Sequence, residues 1–180
     1  MAKTDIIDLY DLLIEQLRDL YDGIIQKRRF LKKADKLASS DELEELMLTQ
    51  RKQLKLQKER LEYVFEILDE EPKGEHSTGI KALIKSSLEL AKRCKVPEVR
   101  DASIITSIQH IDHYEMAGYG TSISYAKVLN RHDIAETLLN NLRENKDADD
   151  WLSNLAEKDI NQNATWDALV AAVGNKQAIS

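Results

Sequence analysis

Residues Ile104 to Tyr125 read IITSIQHIDHYEMAGYGTSISY, and the fold turns on them. Ile104, Ile108, Ile111, Glu115, Tyr119, Ser122 and then Ala126 recur every three or four residues, tracing one face of a long helix. Polar and ionisable side chains are set into this stretch: His110, Asp112, His113 and Glu115. A carboxylate on a face meant for burial must be paired, neutralised or bound to a metal, because an isolated buried charge is very costly. Glu115 is therefore the residue that a functional reading has to explain.

Outward from this helix, Pro97-Glu98 supplies its start, since proline fits a first helical turn and an acid complements the dipole there. Asn130 to Asp133 is a turn with Asp133 as its cap, and a further long helix follows over 134–157. Its seam is Ala135, Leu138, Leu142, Asn145, Asp149, Leu152 and Ala156. Toward the N-terminus, Thr78 to Cys94 is a shorter amphipathic helix with Ile80, Leu83, Ile84, Leu88 and Ala91 on its apolar side. Two long helices precede it. The first spans about 5–37, with Ile6, Tyr10, Leu13, Leu17, Leu20, Ile24, Leu31 and Ala34 inward. The second spans about 41–70 until Pro72-Lys73-Gly74 breaks it, with Ser39 and Glu42 at capping-box spacing before it and Gln50, Gln53 and Gln57 on or beside its inward stripe. Trp166 to Val173 is a short apolar helix, and 174–180 a fraying tail.

Four long helices, with tight links joining the first to the second and the third to the fourth, make two antiparallel pairs. The long helical crossover between helices two and three gives an all-α, ferritin-like four-helix bundle with a short C-terminal helix. A coiled-coil rod would share the seams, but the breaks at Pro72 and Asn130 favour the bundle. One domain over 1–180 is expected, with the bundle at about 5–158 and the last helix and tail at 159–180. The 6 Gly and 2 Pro among 180 residues, with 32% charged, suit exposed helices more than a sheet. A net charge of −6 argues against general nucleic-acid binding. Cys94 is the single cysteine, so no intrachain disulfide forms. No apolar run is long enough for a membrane span and the start lacks a signal-peptide pattern, so the expected compartment is the cytoplasm.

Several segments resemble the YciE/YciF family of ferritin-like proteins. They are Leu17-Arg18-Asp19-Leu20-Tyr21-Asp22, Glu59-Arg60-Leu61-Glu62, Glu98-Val99-Arg100-Asp101-Ala102, and His113-Tyr114-Glu115 through Tyr119-Gly120-Thr121. The resemblance implies a fold shared with di-iron carboxylate proteins, a homodimer, a link to stress responses, and a biochemical activity that is unsettled. It also implies where a metal centre would lie. The family's glutamate on the first helix falls at Ile24, its histidine and glutamate on the second at Gln50 and Gln53, and its last glutamate on the fourth at Asn145. Only Asp112 and Glu115 remain acidic on the third. The expectation is a degenerate site holding no metal or other cofactor, in a protein that is not an enzyme.

Each feature has a plainer counterpart. Asp112 and Glu115 are expected to join a hydrogen-bond network with Gln50, Gln53 and Asn145, with burial raising the Glu115 pKa. The alternative is an iron site assembled from Asp112, Glu115, Glu144 and Asp149, with His113 nearby. His110 and His113 are spaced like two metal ligands but lack a third, and His76 and His132 fall in loops. The runs Lys27 to Lys36 and Arg51 to Arg60 would lie side by side as a basic surface, with Lys27 to Arg29 beside Arg51 and Lys52. Only Phe30 supplies an aromatic ring there, too few for a single-strand binder. Cys94 lies between Arg93 and Lys95 without a resolving thiol. Trp151 and Trp166 would cap the bundle or make a dimer contact. The reading is a stress-associated structural or interaction protein, with an unidentified protein as its possible partner and neither membrane nor nucleic acid expected.

Overall fold

The computed structural model describes residues 5–73 and 77–177, with side chains described as far as 171. Four long helices form the body: α1 (Leu9–Ala34), α2 (Asp41–Ile67), α4 (Pro97–Val128) and α5 (His132–Leu155). α3 (Thr78–Arg93) is the crossover. α5 runs on through a π-helical turn (Ala156–Ile160) into α6 (Asn161–Asn163), and α7 (Trp166–Gln177) closes the chain. The long helices pack as a ring, α1 against α2 and α4, and α5 against α2 and α4, while α3 lies across α4 and α1. Contacts such as Tyr10 to Leu68 and Asp35 to Arg51 make α1 and α2 antiparallel. Gln109 to Asp149 and Tyr119 to Asn141 do the same for α4 and α5. Ser39 to Asp101 and Lys27 to Glu115 make α1 and α4 antiparallel as well, so α2 and α4 run the same way, which a tight turn cannot achieve and a crossover can.

The inward face of α4 is as its spacing predicts: Ile104, Ile108, Ile111, Glu115, Tyr119, Ser122 and Ala126 are all buried. They meet Leu13, Leu17, Leu20, Ile24 and Leu31 of α1, Leu54, Leu61 and Val64 of α2, and Leu138 and Leu152 of α5 in one continuous core. Gly79 on α3 allows a close approach, since a Cβ there would sit 2.7 Å from the Tyr114 ring of α4.

Helix ends differ from expectation in five places. α1 starts at Leu9, because Asp8 caps it by accepting from Asp11 N at 2.8 Å, so Ile6 is exposed. α2 is capped by Ser40, which accepts from Leu43 N at 3.3 Å, and not by Ser39. Ser39 instead donates from its backbone N (2.9 Å) and its hydroxyl (2.6 Å) to the buried Asp101, while Arg100 donates to the carbonyls of Leu37 and Cys94. The Arg100-Asp101 pair thus fastens the α1–α2 link to the start of α4. α2 ends at Ile67, before Pro72, where Asp69 turns left-handed (φ 55°) and Glu70 N reaches back to Phe65 O. α5 begins at His132, so that residue is helical; Asp133 is no cap but accepts from the Arg131 side chain, and Arg131 holds the cap position without a side-chain capping bond. α7 runs on to Gln177, so 174–177 are helical where a tail was expected, while His76 and 178–180 lie outside the described residues.

Candidate functional site

The polar inward positions of the four long helices meet at the centre of the bundle. They are Lys27 on α1, Gln50 and Gln57 on α2, Asp112 and Glu115 on α4, and Asn141 and Asn145 on α5, all buried. Lys27 Nζ forms ion pairs with Asp112 Oδ1 and, at 2.7 Å, with Glu115 Oε2. Gln50 Nε2 donates to Asp112 Oδ2 and Asn145 Nδ2 to Glu115 Oε2, each at 3.1 Å. From there Gln57 Nε2 donates to Asn145 Oδ1 at 3.0 Å. Asn141 Nδ2 donates to the Gln57 carbonyl and the Tyr119 hydroxyl, each at 3.2 Å. Arg60 donates to Asn141 Oδ1 at 2.9 Å and holds Glu144 with two further bonds of 2.7 and 2.9 Å. The chain of polar contacts thus runs from the centre to a half-exposed ion pair at the surface.

Lys27 was expected on the basic outer surface, and its burial overturns that. Its position shows why: it falls three residues after Ile24 and four before Leu31, inside the apolar stripe of α1. That spacing was the available signal. Burial disfavours its ammonium, but Asp112 and Glu115 outweigh that and raise its pKa above the ordinary lysine value. Burial also raises Asp112 above the usual carboxylate range, against the pull of Lys27. Glu115 is raised by burial as well, with Lys27 opposing the rise and Asp112 adding to it. Two carboxylates facing one ammonium leave a surplus negative charge, and a proton held on either acid removes it, so the three titrate as a unit. Glu115 Oε1 is buried with no hydrogen-bond partner, as befits a carboxyl that ionises reluctantly.

These donors do not fit the di-iron centre that the resemblance implies. Both central acids come from one helix, and an ammonium already pairs with each, so a divalent ion would meet a fixed positive charge. Asp112 and Glu115 are brought together, but Glu144 is held by Arg60, and Asp149 accepts from Gln109 Nε2 at 3.1 Å with His113 Nδ1 3.5 Å away. Ile24 is fully buried; Gln50 and Asn145 join the network; Gln53 is half-buried and makes none of these bonds. His110 and His113 are both exposed. Among the described residues, no three His, Cys, Asp or Glu side chains gather closely enough to hold a metal ion.

The other resembling residues tie helices together. Arg18 pairs with Glu70 at 2.9 Å, the Tyr114 hydroxyl donates to Asp19 at 3.1 Å, and the Tyr21 hydroxyl donates to Glu62 at 3.0 Å. Asp22 accepts from Ser77 N at 2.8 Å, ahead of the crossover. Trp151 and Trp166 are 47% and 77% exposed, so neither seals the bundle of a single chain. No helix among the described residues is long and apolar enough to cross a membrane.

Fold and centre together define an all-α bundle of two helical hairpins joined by a helical crossover, with an ion triad at its middle. The chain belongs to the family of YciF, whose domain, described as a domain of unknown function (DUF892), matches residues 8–165. It is 30% identical to Protein YciF of Escherichia coli (strain K12) over 155 residues, covering 86% of this chain and 93% of that protein. The crystal structure of the E. coli stress protein YciF superposes with a TM-score of 0.82 at 29% identity, covering 87% of this chain and 99% of that one. YcfI of Rhodopseudomonas palustris, a proposed structural protein, gives a TM-score of 0.82 at 35% identity over 85% of this chain and 98% of its own.

Proposed function

We propose that this protein is a ferritin-like bundle without metal or catalysis, acting as a stress-associated structural or interaction protein, as a cytoplasmic homodimer. One observation carries the reading: the Lys27 ammonium pairs with both Asp112 and Glu115 at the centre, where a metal-binding relative would need bare carboxylates. A single fixed cation does there what bound ions would otherwise do, offsetting the charge of the acids. It also links α1 to α4, while Gln50 and Asn145 bring in α2 and α5, so each long helix has a polar contact that sets its register. The description of E. coli YciF as a stress protein and of YcfI as a proposed structural protein agrees with this role.

The test is elemental analysis of protein purified after iron loading, with the mass in solution measured by light scattering on the same sample. The expected outcome is a dimer carrying far less than one metal ion per chain. Near-stoichiometric iron would sink the proposal in favour of an iron protein built on Asp112, Glu115, Glu144 and Asp149. A monomer would remove the dimer from it.

A further inference from the structure

Between the exposed flanks of α1 and α2 lies a cleft of about 440 Å³. Half-buried Ile25 supplies its apolar wall, with the fully buried Ile24 beneath it, and every other lining residue is a cation: Arg28, Arg29 and Lys32 from α1, Arg51 and Lys58 from α2. This is unexpected on a chain whose net charge is −6. Two of the five have acidic partners at its edges, Arg51 with Asp35 at 3.7 Å and Lys58 with Glu62. Arg28, Arg29 and Lys32 have no carboxylate partner among the described residues. Arg28 and Lys32 stand four residues apart on one helix face, a spacing at which like charges repel. An anion seated in the cleft would relieve that repulsion.

We propose that this cleft binds a small anion bearing a di- or triphosphate group. Concavity sets it apart from an ordinary solvated charge run: two helices aim their cations into one space, with no acid among the lining residues. Planar guanidinium groups match phosphate oxygens in paired hydrogen bonds, and three of the five cations are arginines. The volume falls within the range of small-molecule sites, roughly 300–1,000 Å³. Ile25, half-buried, offers an apolar surface against which a nucleoside could lie. The site is independent of the metal-free reading of the centre, since none of its cations contacts Asp112 or Glu115.

The experiment is titration calorimetry on the full chain with two probes, ATP and inorganic tripolyphosphate, repeated as salt rises from about 50 to 300 mM. Binding should occur at low salt and weaken steadily with added salt. Tighter binding of ATP would assign the apolar wall to the nucleoside; equal binding would assign the site to the phosphate chain alone. Arg28→Glu with Arg29→Glu should weaken binding by at least about tenfold, through loss of charge-assisted bonds. Lys81→Glu with Lys85→Glu, on exposed positions of α3, makes the same change in net charge and should leave affinity unaltered. Circular dichroism would confirm that both variants fold. The proposal is overturned if both probes bind more weakly than about 1 mM, or if the α3 pair weakens binding as much as the α1 pair. It also falls if charge reversal at Arg28 and Arg29 splits a dimer, which would make the cleft a subunit contact.

Discussion

Lys27 faces the bundle centre with 1% of its surface exposed, whereas Arg28 and Arg29, the next two residues, stand on the outer side of the same helix. All three are cations in one basic run, yet a rotation of one residue places them in different electrostatic conditions. Inside, water is excluded, the attraction between charges is barely screened, and removing one partner leaves the others without compensation. Outside, water and salt screen each cation, and a missing partner costs little. The inner lysine therefore belongs to the architecture, while the outer arginines are free to take a ligand.

The sharpest way to break this contrast is Lys27→Met, which keeps most of the side-chain volume and removes the charge. It leaves Asp112 and Glu115 buried against each other without a cation, so a loss of about 3–5 kcal/mol is expected in urea unfolding. A loss below about 1 kcal/mol would mean that the triad is not what neutralises the centre. A smaller shift separates the cost of an orphaned charge from the worth of the triad itself. Lys27→Met combined with Asp112→Asn and Glu115→Gln removes all three charges, and should recover more than half of that loss. Failure to recover it would show that the ion pairs contribute net stability of their own.

Glu115→Gln should change stability less, and with a definite dependence on pH. The folded pKa values of Glu115 and Asp112 are raised above the ordinary 4.5 and 3.8. The folded state then binds more protons than the unfolded one between those values and the raised ones. Their contribution to stability is complete at low pH and lost as pH rises through the folded pKa. The variant has no such loss at residue 115 and retains a one-to-one pair of Lys27 with Asp112. Its stability relative to wild type should therefore improve from about pH 4 to pH 7, ending within about 1 kcal/mol of wild type or above it. Paired denaturation curves at the two pH values measure this; a relative decline of the variant toward neutral pH would contradict the raised Glu115.

The face of α4 was legible in the sequence because a three-to-four spacing of apolar residues survives whatever packs against it. Helix ends were less so, because Ser39 and Ser40 are equally good caps in isolation. The choice between them was made by Asp101, a partner 62 positions away. The centre was half legible. Asp112, Glu115, Gln50 and Asn145 stood out as polar residues on inward stripes, but Lys27 was hidden within a run of cations whose neighbours do face solvent. Its partner Glu115 is 88 positions distant, and no local pattern encodes that pairing. Gln57 and Asn141 extend the network for the same reason, through bonds that appear only once α2 and α5 lie side by side.

The mildest substitutions test the other half of the comparison. Arg28→Ala with Arg29→Ala removes two exposed charges that have no carboxylate partner among the described residues, so stability should stay within about 0.5 kcal/mol of wild type. The sign is informative, because relief of repulsion with Lys32 and Arg51 favours a small gain, and that gain should fade as salt screens the charges. Thermal denaturation at low and high salt reads both effects. A loss as large as that of Lys27→Met would show that the outer arginines are as deeply built into the bundle as the lysine beside them. The distinction between an inner cation that holds the helices and outer ones that await an anion would then be lost.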